Sequence, residues 1–470
     1  MLLTLVIIYL LITIAIGLIA AKRVKNSADF AIAGRHLPIA MIITTTFATW
    51  FGSETVLGIP ARFVNTGLGG VIEDPFGAGI CLILVGAFFA SKLYKMSLLT
   101  ISDYFRERFG REVEIFCSVI IMLSYLGWVS AQVTALGLVF NVLSAELISL
   151  PLGMTIGVIS ILAYTLFGGM WSVAITDFIQ MIILVLGLAI LAVFAGEQAG
   201  GASAVLNLAS SRDMFHLLPE PDFKSYMFFF ASALTMMLGS IPQQDVFQRI
   251  TSSKNVNIAV NAAILGGVLY FIFAFVPMYL AYSATLISPD LVKEYLDTDP
   301  QMILPKLILN HAPLIAQVMF FGALLSAIKS CASATLLAPS VTFAENIVRG
   351  FFKHLSDHEL LKIMRITVLC FAVVVTFFAI NSELSIFKMV ESAYKVTLVA
   401  AFVPLAFGVY WSKANSLGGL LAVVGGLTVW ISSEILAPNA IVPPQLAGLF
   451  ASIAGMILGS LVPKDLLKAV

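Results

Sequence analysis

Lys329 sits in the stretch PLIAQVMFFGALLSAIKSCASATLLAPSVTFAENI (residues 313–347), which holds no other charge before Glu345. Read as a helix crossing a membrane, this stretch places the ammonium several turns from Arg349, beyond the reach of a snorkelling side chain. An ionisable group at that depth is costly and usually faces a cavity, a partner or a transport path. Other charged residues share the predicament. Glu54 ends the polar interruption Thr49-Trp50-Phe51-Gly52-Ser53-Glu54 and is the nearest candidate carboxylate for Lys329. Asp177 and Gln180 stand one turn apart beyond a Gly-Gly turn. Glu391 and Lys395, spaced i,i+4 with Tyr394 beside them, can neutralise each other and read as structural. Glu73-Asp74-Pro75 reads as a solvated cap at the outer end of a helix. Carboxylates and a lysine in apolar helices suit the handling of ions and polar solutes. Enzyme chemistry has no foothold: HExxH, GxxxxGK[ST] and GxSxG are absent, and five histidines are too few for a metal centre. Without a phosphate-binding loop, self-contained ATP drive is excluded.

The elements that carry these residues follow from composition. The chain is 60% hydrophobic and 11% charged, against about 45–50% and 25% in soluble domains, so it is expected to be an all-α, multi-pass protein of a cell or inner membrane. Formal charges cancel, giving no reason to expect nucleic acid or an obligatory protein partner; the lipid bilayer and a small-molecule solute are the expected partners. The four cysteines lie far apart in apolar segments, at least three of them read as buried thiols, and no cofactor is implied. The first apolar segment, residues 2–21, lacks a basic leader and is followed by Lys22 and Arg23, so it reads as a retained helix rather than a signal peptide.

Apolar runs of spanning length predict thirteen helices, centred near residues 12, 48, 80, 130, 158, 184, 237, 270, 330, 370, 400, 426 and 453. Of the 26 Lys and Arg, eighteen fall in alternate loops (among them Lys22, Arg106, Arg249, Arg349, Lys353, Lys464 and Lys468), six in the opposite loops, and Lys329 and Lys395 within helices. The positive-inside rule then puts the N-terminus outside and the C-terminus inside. The second helix is interrupted at residues 49–54 and the seventh at Gly239-Ser240-Ile241-Pro242. Broken helices at matching positions in two halves predict inverted repeats around a midplane site, where unwound carbonyls and half-helix dipoles face an ion or solute. The expected division is a peripheral helix over 2–21, a first repeat over 36–196 (helices two to six), a second over 223–411 (helices seven to eleven) and two peripheral helices over 416–463, all in one transporter domain.

The segment YTLFGGMWSVAITDFIQ (164–180), with QDVFQRITSS (244–253) and the turn WSKANSLG (411–418), resembles the sodium/solute symporter family over nearly the whole chain. That resemblance implies an inverted-repeat secondary transporter usually driven by sodium, the only metal ion in question. It implies an ion site of backbone carbonyls from Ala48 and Phe51 and from Ala327, with Ser330 and Cys331 at two hydroxyl positions, and Asp177 on the inner path by which the ion leaves. A thiol at Cys331 is a poor ligand for a hard ion. Lys329, where relatives carry an apolar residue, is read as an ammonium occupying or abutting that site, which leaves coupling to protons or none open; the alternative is an ion pair with an intramembrane carboxylate and an ordinary sodium site.

Locally the chain is most similar to the high-affinity choline transporters of that family, at Ala48-Thr49-Trp50, Met237-Leu238-Gly239, Ile241-Pro242 and Met302-Ile303-Leu304-Pro305. Quaternary ammonium groups are held by aromatic faces. Trp50 and Trp128 match two cage positions and the third falls on Gln243, so a choline-like amine or an amino acid is the expected solute. Its expected contacts are Thr49, Trp50, Ser53, Glu54, Thr55, Trp128, Gly239, Gln243 and Gln244. A channel would need a continuous polar lining, which no helix shows. A membrane sensor on the same fold is the competing class; it is expected to append a signalling domain, and none follows before Val470.

Overall fold

The computed structural model describes residues 1–352 and 354–462; Lys353, Lys464, Lys468 and the last residue of the expected 416–463 pair lie outside them. Among the described residues every extended element is helical, and the sole β contact is an isolated parallel bridge between Leu37 and Ser253. In hydrocarbon no water satisfies backbone groups, so apolar segments must close their hydrogen bonds internally.

The helices that position the site are α1 (Leu2–Ala21), α2 (Ile39–Trp50), α3 (Ile59–Thr66), α4 (Leu68–Lys95), α5 (Arg111–Leu143), α6 (Leu150–Gln198), α7 (Phe223–Gly239), α8 (Gln244–Ser252), α9 (Val256–Ile287), α10 (Leu314–Phe351), α11 (Asp357–Asn381), α12 (Ile386–Tyr410), α13 (Ser416–Leu436) and α14 (Pro444–Leu461). Among the described residues ten helices are long and apolar enough to cross a membrane, or eleven if the α7–α8 pair, bent by 43°, is one span. The difference from thirteen separate helices has two sources. The 12-residue α2 is too short to cross alone. The expected fifth and sixth helices run together as α6, two helices joined at a kink and 49 residues in all, against the about 20 that span the hydrocarbon once. Its one non-helical residue, Gly169 (φ 45°, ψ −137°), kinks it where the Gly-Gly turn was read. A Cβ there would lie 2.3 Å from the Phe30 carbonyl oxygen, so only glycine fits.

The basic loops meet at one end of the molecule. Ser27 bonds Asp357, the backbones of Leu37 and Ser252 pair at 3.0 Å, Arg111 donates to the Asn346 carbonyl at 2.7 Å, and Arg108 donates to the Gly408 and Trp411 carbonyls. At the opposite end Leu68 and Gly69 bond the Met214 and His216 carbonyls, and Ile386 N–H donates to Gln301 at 3.1 Å. Among the described residues these loops thus group at two ends of the molecule.

The centre is α10, buried without a break from Phe320 to Thr342. α1 and α13 are 22% buried against 67% for α10, which suits the peripheral placing of the first and twelfth helices; α14, at 50%, packs over α13. α1 is nevertheless latched inward along one stripe. Tyr9 bonds Ser326, Thr13 accepts from Lys329, and the Gly17 carbonyl accepts from Ser172 at 2.5 Å.

Two glycines should respond oppositely to a methyl group. Gly169→Ala forces a left-handed residue against the Phe30 backbone, costing at least about 1–2 kcal/mol. Gly322→Ala, with nothing within 4 Å of the new Cβ, should gain about 0.5–1 kcal/mol of helix stability. Apparent unfolding temperatures in detergent check the signs: a fall for the first, no change or a rise for the second.

Candidate functional site

The site is built on the interruption of α2. Phe51 leaves helical geometry (φ −85°, ψ 70°), and the chain resumes as a wide turn over Glu54–Gly58 before α3. Gln132 of α5 holds the break: its side-chain oxygen accepts from Ser53 N–H at 2.9 Å, and its amide donates to Glu54 Oε2 at 2.7 Å. Trp128, one turn earlier on α5, donates its indole N–H to Glu54 Oε1 at 3.3 Å. Gly52 is the residue that lets these groups converge, because a Cβ there would stand 2.8 Å from Cys331 Sγ, 2.8 Å from Glu54 Oε2 and 2.9 Å from Gln132 Oε1.

Around this carboxylate stand aromatic faces. Trp50 and Trp128 meet edge to face at 6.0 Å, and Tyr394 of α12 closes the third side, 6.3 Å from Trp50 and 5.4 Å from Trp128. Tyr270 lies 6.4 Å from Trp50, and Tyr125 stacks on Trp128 at 5.9 Å. All five rings are buried. Trp50 and Trp128 thus come together as the sequence indicates, but the third wall is Tyr394, not the residue at 243. Gln243 bonds Ser124 at 3.0 Å and Thr397 at 3.4 Å, bracing α8 against α5 and α12. The clue to Tyr394 was a tyrosine beside the Glu391–Lys395 pair, whose 2.8 Å contact leaves the ring as the group on that helix that faces inward.

The remaining expected solute contacts divide. Ser53 Oγ is buried without a hydrogen-bond partner beside the box. Thr55 reaches the Trp50 carbonyl and Tyr270. Gly239 lets α7 press against α12, since a Cβ there would lie 2.4 Å from the Tyr394 carbonyl oxygen. Thr49 turns inward, donating to the Thr45 carbonyl and accepting from Arg249 at 2.7 Å. Gln244 leaves the box altogether: its side-chain oxygen accepts from Ile101 N–H at 2.8 Å, capping an inner helix. Arg249, counted among inner-loop charges, is buried and belongs to the core; its second guanidinium nitrogen bonds the Asp245 carbonyl at 2.9 Å, and Asp245 in turn accepts from Tyr125 at 2.5 Å.

The expected ion residues gather on one side of the same break. Ala48, Phe51, Ala327, Ser330 and Cys331 are all buried. Asp177 joins both helices of the cluster: Thr45 of α2 donates to its Oδ2 at 2.5 Å and Ser330 of α10 donates to its Oδ1. Asp177 therefore stands within the cluster, and Cys331 Sγ points at Gly52.

Lys329 does not point there. Its ammonium donates to Thr13 of α1 at 2.6 Å and lies 5.4 Å from the centre of the Tyr164 ring of α6. Successive helical residues are turned by about 100°, so when Ser330 and Cys331 face α2, Lys329 faces α1 and α6. In this structure the ammonium is engaged by α1 and α6. It neither abuts the ion residues nor pairs with Glu54, whose oxygens are taken by Gln132 and Trp128, and among the described residues it has no carboxylate within 4.0 Å.

Glu73 and Asp74 are also displaced from the sequence reading. They are buried, 5% and 3% exposed, and not a solvated cap.

The chain matches the sodium:solute symporter family over residues 30–426. It is 28% identical over 448 residues to the high affinity choline transporter 1 of Homo sapiens, covering 91% of this chain and 76% of that one. It is 27% identical over 489 residues to the osmoregulated proline transporter OpuE of Bacillus subtilis, covering 98% and 95%. In architecture it is similar to a Na+-coupled sialic acid symporter, with a TM-score of 0.83 at 19% identity over 98% of this chain and 97% of that one. It is similar more distantly to MhsT, solved with L-phenylalanine, with a TM-score of 0.60 at 15% identity over 89% and 97%. The structural likenesses establish the fold, and the family match establishes membership: this chain belongs to the sodium:solute symporter family, as a multi-pass membrane transporter and not an enzyme.

Proposed function

We propose that the protein is a sodium-driven symporter of a small solute bearing a cationic amine, a choline-like quaternary amine or an amino acid, working by alternating access. The observation that carries the reading is the box of Trp50, Trp128 and Tyr394 closed over the Glu54 carboxylate at a helix break. Aromatic faces attract an ammonium through their quadrupoles, and a desolvated carboxylate behind them adds charge. The choline and proline transporters among its relatives handle solutes that carry such a group. The rings touch one another, so admitting a solute requires α12 to part from α2 and α5. That movement is what opening toward one side would do.

The same reading takes the family's inverted repeats, 36–196 and 223–411, and thirteen crossings with the N-terminus outside. The kinked α6 then counts as two crossings, and α2 with α3 and α7 with α8 as one each. Sodium is the preferred coupling ion because the inner cluster keeps hard oxygen donors, with Asp177, Thr45 and Ser330 around the Ala48 turn. The lysine that would have replaced the ion is engaged elsewhere.

The solute prediction is that Tyr394→Ala weakens ammonium binding by about 2–30-fold, the equivalent of ~0.5–2 kcal/mol for one ring, with Tyr394→Phe close to wild type. A thermal-shift screen of choline, betaine, proline, other amino acids, sugars and carboxylates identifies the ligand, a true solute at ~100 Kd adding about 2.7 kcal/mol. Counterflow of that ligand in proteoliposomes separates transporter from sensor: bound ligand without exchange would favour the sensor.

For coupling, Asp177→Asn and Ser330→Ala are expected to abolish sodium-driven uptake, while Lys329→Met keeps the wild-type sodium dependence. Uptake under separately imposed sodium and proton gradients decides it. Accumulation on a proton gradient alone, or a Lys329→Met variant with an altered ion requirement, would restore the lysine to the coupling mechanism.

A further inference from the structure

Beside the aromatic box, and reaching back to its Glu54, lies a group of acidic residues of which the proposed mechanism uses only Glu54. Glu54, Glu73, Asp74 and Glu391 line one small cavity with Met236, Phe387 and Val390. Glu391 is answered by Lys395 at 2.8 Å. Glu54 is held by Gln132 and Trp128, and one oxygen of Asp74 accepts from Tyr270. Asp74 Oδ2 and Glu73 Oε1 remain, buried and with no hydrogen-bond partner. Among the described residues no basic group lies within 4.0 Å of Glu54, Glu73 or Asp74. Buried carboxylate oxygens in apolar surroundings are costly unless a cation, a proton or water answers them.

The chamber leads outward. Phe387 forms its outer wall and also lines a vestibule of about 540 Å³ with Arg62, Asp299, Gln301, Glu383 and Lys388, and the Arg62 guanidinium sits 4.6 Å from the centre of the Phe387 ring. Inward the chamber ends at Glu54, the carboxylate of the box. Its volume of about 10 Å³ is close to the least that holds one water, which excludes a quaternary ammonium and admits an ion of one atom. No group of three His, Cys, Asp or Glu converges among the described residues as a multivalent metal would need.

We propose that Glu73 and Asp74 bind one dehydrated sodium ion in this chamber, between the outer vestibule and the solute box. The proposal rests on the transporter reading for its place on the solute's route, but it concerns a different site from the inner cluster of Asp177 and Ser330. Filling it offsets one unit of negative charge on the carboxylates that face Glu54 and couples ion occupancy to the outer side of the box.

The test uses purified full-length protein in detergent, with sodium exchanged for potassium at constant ionic strength. In an Asp177→Asn background, sodium is expected still to raise the unfolding temperature, and adding Glu73→Gln or Asp74→Asn should weaken its apparent affinity by about tenfold or more. Because those variants can fail to fold, a measurement on the unmutated protein runs in parallel. Dicyclohexylcarbodiimide labels buried carboxyl groups, and peptide mass spectrometry should find adducts on Glu73 or Asp74 that sodium suppresses and potassium does not. Absence of a sodium shift in the Asp177→Asn background, or labelling insensitive to sodium, overturns the proposal. Labelling that responds to pH or to choline but not to sodium also overturns it, in favour of a proton or the solute head group. Failure of every solute to be taken up, with sodium protection intact, would sink the solute reading and leave this site standing.

Discussion

The structure depends on a helix that stops in the middle of the molecule. At Phe51-Gly52-Ser53 the backbone of α2 gives up its helical ladder, and buried backbone groups cannot be abandoned without partners. Gln132 supplies them, accepting from Ser53 N–H and donating to Glu54, so one amide side chain on α5 both tolerates the break and aims the carboxylate. The candidate site is arranged about that point: the aromatic box on one side, the oxygen cluster of Thr45, Asp177 and Ser330 on the other, and Cys331 against Gly52. A continuous helix would present none of these groups to one another.

The buried polar residues form two systems with different tasks. One binds elements together. Lys329 and Ser326 hold α1 against α10, and Asn346 donates to Asp103 and Glu114 at 2.9 Å each, joining the inner loops. The other is left partly unanswered: oxygens of Glu73, Asp74, Asp245 and Ser53 have no protein partner. A network with every member satisfied rigidifies, whereas buried groups without partners are where ions and solutes gain free energy by binding. Lys329, the most conspicuous residue in the sequence, bonds Thr13 of α1, and the inconspicuous Glu73-Asp74 pair is among the groups left with unpartnered oxygens.

Much of the architecture was legible because a bilayer constrains sequence severely. Apolar run length and the residues at the two breaks located most of the helices and both interruptions. Trp50 and Asp177 were identifiable because each lies beside a break or turn in an otherwise apolar stretch, whereas Trp128 and Ser330 lie within unbroken helices and were singled out only by the family resemblance. The Gly-Gly turn read within 164–180 corresponds to a kink at Gly169, where a positive φ separates the two helical halves of α6.

What the sequence determined by itself was the class of the molecule: a helical membrane transporter with two interrupted helices and ionisable residues at depth. Only the tertiary structure decided where each charge points. Helical rotation turned Lys329 toward Thr13 while Ser330 reached Asp177, packing of α7 on α12 brought Tyr394 into the box in place of Gln243, and burial moved Arg249 and Glu73-Asp74 from the surface to the core. The physical reason is that a spanning helix must be apolar on nearly every face, so hydropathy reports depth and carries little information about direction. Direction comes from neighbouring helices, and those are set by contacts hundreds of residues apart in the chain.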